Sequence, residues 1–317
     1  MRPAAAFGIA ALVVAAGLLA PKLPVNTYYF YAGYVVLQFV AVATAWNVLG
    51  GYGGYINFGA AAFFGAGAYA AAGLFKAFGL PLPLQIMAAA GVGVALGAAM
   101  GYLTLRVQGV YFAIATLSLV VVLETLVHNV EYLGGARGLA ILAPPAPAWF
   151  GGRTQFAFFV MLAVAAASVL AAWLIENSWI GRGLRAIRAS ESAAECAGVP
   201  TLKLKILACA VSGGLLAAAG APYPYYASYI EPGTAFSLTV GLNAIAMPLI
   251  GGTRSWAGPV MGAVLLGTLQ QVATVTISSE LNVLLVGLAL IAFVAAAPNG
   301  LLSLPRRPRS KDAIRHD

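Results

Sequence analysis

Runs of about 20 apolar residues repeat along this chain, and one long polar island, Gly181–Lys205, breaks them. The island reads GRGLRAIRASESAAECAGVPTLKLK. It holds five of the 17 Lys and Arg residues (Arg182, Arg185, Arg188, Lys203, Lys205) and two of the nine acids, Glu191 and Glu195. Elsewhere charge is scarce: 62% of the 317 residues are hydrophobic and 8% are charged. A charged side chain costs about 2.5–3.5 kcal/mol at the centre of a bilayer, so this pattern selects a membrane-embedded helical chain. A β-barrel is excluded because the apolar stretches are continuous and do not alternate at every second residue. The expected fold class is all-α integral membrane: a polytopic bundle of about ten transmembrane helices, with eight or nine also possible.

The expected spans are 4–20, 28–49, 56–75, 84–105, 110–130, 155–176, 204–222, 237–250, 256–276 and 281–300. Residues 1–20 read as a first span and not as a cleaved leader, because no small-x-small site precedes a soluble domain. Ten crossings place both termini on one side. If that side is the cytoplasm, Arg2, Arg106, the five island cations, Arg254, Arg306, Arg307, Arg309, Lys311 and Arg315 lie inside. Lys22, Lys76, Arg137 and Arg153 lie outside, and the positive-inside rule selects this orientation. Segments 56–75 and 237–250 are short or glycine-interrupted, so each is either a full crossing or a re-entrant, broken helix. Residues 1–317 form one membrane domain, with the loop 177–205 on the cytoplasmic side.

Within the island, Arg182, Arg185 and Arg188 recur at i, i+3 and i+6 along one side of a helix. Ser192 and Glu195 have capping-box spacing, and Gly198 followed by Pro200 is a helix stop. The expectation is a single amphipathic helix of about two turns lying along the membrane surface. Its arginines either hold lipid phosphates or meet a protein. In LGGYGGYINFGAAAFFGAGAYAAA (Leu49–Ala72), Gly51, Gly53 and Gly54 permit a tight bend, and Gly59, Gly65 and Gly67 permit close helix packing. Glu124, His128 and Glu131 are spaced to face one side of a helix, and Glu124 is deep enough to need a cavity, a donor or a proton. In MPLIGGTRSWAGPVMGAVLLGTLQQ a Gly-Gly step and Pro259 form a hairpin between two spans, with Pro259 in the first turn of the second.

Four segments resemble the branched-chain amino-acid ABC transporter permeases of the LivM type. The island matches that family's coupling-helix pattern at Gly181, Arg182, Leu184, Ala186, Ile187, Arg188, Ala193, Ala194, Gly198 and Val199. The Leu49–Ala72 segment is similar to Gly-Tyr-x-Gly-x-(Leu/Ile)-(Ser/Asn)-(Leu/Phe)-Gly-His-Ala-Ala-Phe-Phe-Gly, with Ala60 where the family has His. Residues 106–139 match at Thr116, Leu117, Gly134, Gly135 and Gly138, but Val120 and Val121 replace the family's Gly-Glu. The last segment matches at Gly251, Gly252, Trp256, Gly258, Pro259 and Gly262.

The resemblance implies a permease subunit of a bacterial ATP-binding-cassette importer in the inner membrane. Its implied partners are a second, LivH-like permease, two cytoplasmic ABC ATPase subunits, a periplasmic substrate-binding protein and membrane lipid, with no nucleic acid. It implies ATPase coupling through Arg182, Arg185, Arg188, Glu191, Ala194, Glu195 and Gly198. It implies a translocation path past Asn57, Phe58, Gly59, Phe63 and Thr116, to which the depth of Glu124 in its span adds that residue as a candidate. The solute is a branched-chain amino acid or a related small polar molecule such as urea, an amide or a carboxylate. The alternative is a proton-coupled secondary transporter or channel, with Glu124 as the proton carrier. No enzymatic role, metal or cofactor is expected, because the only Asp residues (Asp312, Asp317) and the second His (His316) lie in the tail.

Overall fold

Helix ends fall where the sequence supplies stops. In the computed structural model, which describes residues 27–104, 110–141, 152–276, 287–288 and 301, twelve α-helices follow one another. They are α1 (Thr27–Gly53), α2 (Ala60–Phe78), α3 (Leu82–Thr104), α4 (Val110–Asn129), α5 (Arg153–Asn177) and α6 (Trp179–Ala189). Then come α7 (Glu191–Cys196), α8 (Thr201–Gly220), α9 (Tyr223–Ala227), α10 (Pro232–Ala235), α11 (Leu238–Gly251) and α12 (Ala257–Thr276). α2, for example, ends at Gly79, whose left-handed backbone (φ 59°) lets its N–H reach Phe75 O at 2.9 Å before Pro81 redirects the chain. One short antiparallel ladder, β1 (Leu139–Ala140) with β2 (Tyr229–Ile230), ties two loops together at one end of the bundle.

Seven of these segments are long and apolar enough to cross a membrane: α1, α2, α3, α4, α5, α8 continued through α9, and α10 continued through α11. The chain is thus a multi-pass α-helical membrane protein. Together with α12, the helices coincide with all eight spans expected between residues 28 and 276. The expected spans 4–20 and 281–300 lie outside the described residues, apart from 287–288, so the count of ten and the placement of the termini are not settled by these helices.

The bundle is apolar on its surface as well as in its core. Met87, Val94, Tyr111, Val121, Val122, Leu126 and Val272 are exposed on its flanks, where lipid is the solvent. Its centre is α1, every residue of which is buried from Val40 to Gly53. α3 and α8 share the most extensive seam: a β-carbon at Gly93 would stand 2.3 Å from Gly213 O, so the two backbones touch and glycine is the residue that fits. α2 joins the same seam, with Gly67 against Ala217 O. α4 instead stands off from α3, and an apolar groove of about 580 Å³ lined by Ala66, Gly73, Val92, Leu96, Leu123 and Leu126 runs between them.

Candidate coupling platform and translocation path

The polar island folds as two helices, correcting the expectation of one. Ser178 caps α6, its hydroxyl accepting from Ile180 N (3.2 Å) and Gly181 N (3.4 Å). Ser190 is extended (φ −165°, ψ 116°), breaks the helix, and caps α7 by accepting from Ala193 N at 3.4 Å. The cap is therefore Ser190 and not Ser192. Glu195, expected to close a capping box, instead accepts from Thr201 Oγ1 at 2.6 Å and so splices α7 to α8. The stop at Gly198 forms as expected: it is left-handed (φ 81°), Gly198 N reaches Glu195 O (2.9 Å) and Val199 N reaches Ala194 O (3.0 Å).

Gly181, Leu184, Ile187 and Ala194 form the buried side of this platform, while Arg182, Arg185, Glu195 and Gly198 are exposed. Ala194 thus packs into the bundle and offers no outward surface, unlike the docking role that the resemblance gives it. Arg188 is exposed, yet its guanidinium reaches back to the bundle. Its Nη1 donates to Gly51 O at the end of α1 and to Thr253 Oγ1 (3.3 Å) in the α11–α12 hairpin. A cation over two helix C-termini is favoured by both dipoles. Arg185 Nη2 reaches Glu176 O at 3.2 Å, capping α5 in the same way.

Three residues absent from the sequence-based list complete the arrangement. Lys205 of α8, only 3% exposed, places its ammonium 2.5 Å from Glu191 Oε1. Tyr55, in the loop between α1 and α2, donates its hydroxyl to Glu191 Oε2 at 2.5 Å. Burial works against the Glu191 charge, but the hydrogen bonds from Lys205 and Tyr55 outweigh it and hold its pKa below the usual carboxylate value. The tie is therefore complete at neutral pH and is lost only as pH falls below the ordinary carboxylate range. The third residue, Glu176, accepts from Trp256 N (2.7 Å) at the start of α12 and from Tyr52 Oη (3.2 Å).

Beyond Tyr55 the chain does not start a helix at the end of the bundle; it turns back inside. Trp46 Nε1 donates to Asn57 O at 2.7 Å, and Trp46 lies seven residues before the end of α1, a depth of about 10 Å. Asn57 Oδ1 accepts from Gly59 N (2.8 Å), and Phe58 N donates to Thr116 Oγ1 of α4 (3.0 Å). Segment 56–75 is thus a re-entrant loop followed by α2. Between this loop, the platform and α11 lies a cleft of about 830 Å³. Trp46, Tyr55, Phe58 and Leu249 line it beside Arg188 and Glu191.

Of the expected path residues, only Phe58 lines this cleft. Asn57, Gly59 and Thr116 are buried behind it as supports, and Phe63 is fully buried against Gly213. Glu124 stands eight residues beyond Thr116 on α4, about 12 Å away, with Oε1 directed at Gly233 beside α10. It does not line this cleft. His128 ends α4 exposed, and Glu131 belongs to the turn after it, so the expected three-residue face does not form. Trp46→Phe is expected to loosen the re-entrant loop by about 1 kcal/mol, read as faster hydrogen exchange at Gly59 N; unchanged exchange would show that Thr116 alone holds it.

A family model described as the branched-chain amino acid transport system permease component matches residues 28–294. The high-affinity branched-chain amino acid transport system permease protein LivM of Salmonella typhimurium is 24% identical over 299 residues, covering 86% of this chain and 69% of that protein. Its Escherichia coli counterpart is 24% identical over 81% of this chain and 64% of its own length. This chain thus spans about two thirds of those relatives. The autoinducer 2 import system permease protein LsrC of Salmonella paratyphi B is 27% identical over 59% of this chain and 53% of its own length. A solved structure described as an inward-facing conformation of an ABC transporter of metal-chelate type shares the fold, with TM-score 0.50, 15% identity and 93% of this chain covered. With the family pattern running through the capped platform, the re-entrant glycine loop and the α11–α12 hairpin, this chain belongs to the permease components of the branched-chain amino acid transport system family.

Proposed function

We propose that this chain is the membrane-spanning subunit of a bacterial ATP-binding-cassette importer in the inner membrane, moving a branched-chain amino acid or a related small polar solute. A periplasmic binding protein delivers the solute, a second LivH-like permease completes the pathway, and two separate cytoplasmic ATPases supply the energy. What carries this reading is the platform α6–α7. Capped at both helix starts and bonded to α1, α5, α8 and the α11–α12 hairpin, it presents Arg182, Arg185, Glu195 and Gly198 outward as one rigid surface. A surface loop needing no more than a connection would not be held at so many points. Arg182, Arg185, Arg188, Lys203, Lys205 and Arg254 lie at the platform end, against Lys76, Arg137 and Arg153 at the far end, which supports a cytoplasmic platform. Phe58, with Asn57, Gly59 and Thr116 behind it, is the proposed cytoplasmic wall of the path; Glu124 belongs to the opposite half.

Cys196 is exposed on α7 and Cys209 is buried, so the native chain carries its own reporter. An impermeant maleimide is expected to label Cys196 in inverted membrane vesicles and not in intact spheroplasts, and labelling is expected to fall when the ATPases assemble. Labelling from outside reverses the orientation. In proteoliposomes, uptake is expected to require ATP and the binding protein. Uptake that follows a proton gradient without ATP selects the secondary-transporter reading instead.

A further inference from the structure

We propose that Tyr55 is the positioning residue that links the platform to the re-entrant loop, transmitting displacement of α7 to Phe58 at the cleft wall. This rests on the importer reading above. Tyr55 Oη donates to Glu191, the first residue of α7, and stands 3.4 Å from Lys205 Nζ, whose ammonium also lies 5.2 Å from the centre of the Tyr55 ring. Three residues later Phe58 N is held by Thr116 of α4, and between them Asn57 O is held by Trp46 of α1. One end of this short segment is therefore fastened to the platform and the other to the wall of the cleft. Three residues reach at most about 10 Å even when fully extended, so little slack can absorb a pull.

On the other side of Tyr55 the chain leaves α1 through a turn, with Gly54 N bonded to Gly50 O at 3.2 Å. Gly54 is exposed and left-handed (φ 79°), a conformation that costs glycine nothing. Arg188, one turn before Glu191, is fixed to Gly51 and Thr253 and supplies the pivot. The buried ion pair is poorly explained as glue, because desolvating two charges offsets most of their attraction. Fixing the register of α7 against Tyr55 is a role that such a pair performs well.

The test uses the complete transporter purified through this chain, in proteoliposomes, with a spin label at Ile56→Cys in a Cys196→Ser, Cys209→Ser background. Ile56 is 52% exposed and lies in the cleft, so a label there reports the loop itself. In the parent, a non-hydrolysable ATP analogue is expected to change the label's mobility. Tyr55→Phe keeps the ring and its packing on Phe112 but removes the hydroxyl. It is expected to abolish that response and to raise ATP consumed per solute imported by about fivefold or more, the lower end of ordinary coupling between sites. A Tyr55→Phe transporter with the parent's response and stoichiometry overturns the link. So does a parent that imports with ATP while its label is silent, or a variant that no longer assembles, which assigns the hydroxyl to folding. A parent that neither hydrolyses ATP nor imports overturns the importer reading itself.

Discussion

Gly93→Leu is expected to abolish recovery of folded protein from the membrane, whereas Gly91→Leu, two residues earlier on α3, leaves recovery unchanged. The two glycines have the same helix propensity, so local structure does not separate them. At Gly91 nothing lies within 4 Å of an added β-carbon, and the new side chain enters lipid. At Gly93 the first added atom meets Gly213 O at 2.3 Å and Ala217 Cβ at 2.5 Å. A side chain can rotate away from a clash, but the facing group here is a carbonyl of α8, so the helices must part along their length. Overpacking by a methylene or two costs about 1–3 kcal/mol where side chains can yield, and more where backbone must move. Monodisperse yield after gel filtration in detergent measures the difference. Equal yields for the two variants would show that the seam is looser than its contacts imply.

Glu191→Ala is expected to be far more damaging than Lys205→Met, although the two side chains form one ion pair. Removing the carboxylate takes the counter-charge from an ammonium whose side chain is 4% exposed, leaving the Tyr55 hydroxyl 3.4 Å away as a neutral neighbour, and breaking a buried pair from one side costs about 3–5 kcal/mol. Removing the ammonium leaves Glu191, whose side chain is 20% exposed, with the Tyr55 hydroxyl and with water. Methionine also fills the space of the lysine stem with apolar volume. The double variant is expected to recover much of the loss, since both buried charges are gone. Thermal unfolding of the four proteins closes the cycle. Equal destabilisation by the two single changes, with simple addition in the double, would mean that the remaining contacts of Lys205 compensate for the lost carboxylate.

The spans were legible because membrane insertion depends on composition over about 20 residues, and neighbours in sequence supply all of it. Thus α1, α3 and α5 begin and end within a few residues of expectation. The island was legible as helical and amphipathic, and Gly198 as its stop, since these are also local. Which serine caps α7 was not: Ser190 and Ser192 have equal chemistry two positions apart, and tertiary packing of Leu184 and Ala194 selects the break. Arg188 lies on the expected face, yet a long side chain near a helix end reaches back over Gly51, 137 residues away. Tyr55 carried no signal and Lys205 stood out only as one of the island cations, because their pairing exists only when residues 55, 191 and 205 meet. Glu124 was singled out by its apolar flanks, but flanking composition does not say which side of α4 faces a cavity.

The seam joining α2, α3 and α8 through glycine carries a mechanical consequence. Where backbone rests on backbone there are no rotamers to adjust, so these three helices translate and tilt only as one block. α4, separated from α3 by the apolar groove, meets α2 chiefly through side chains, which can re-pack, with one close backbone approach where Gly59 faces Thr116 O. It also carries Thr116 at one depth and Glu124 at another. A rocking of α4 against a stationary block would move both polar positions in opposite senses, closing one half of the bundle as it opens the other.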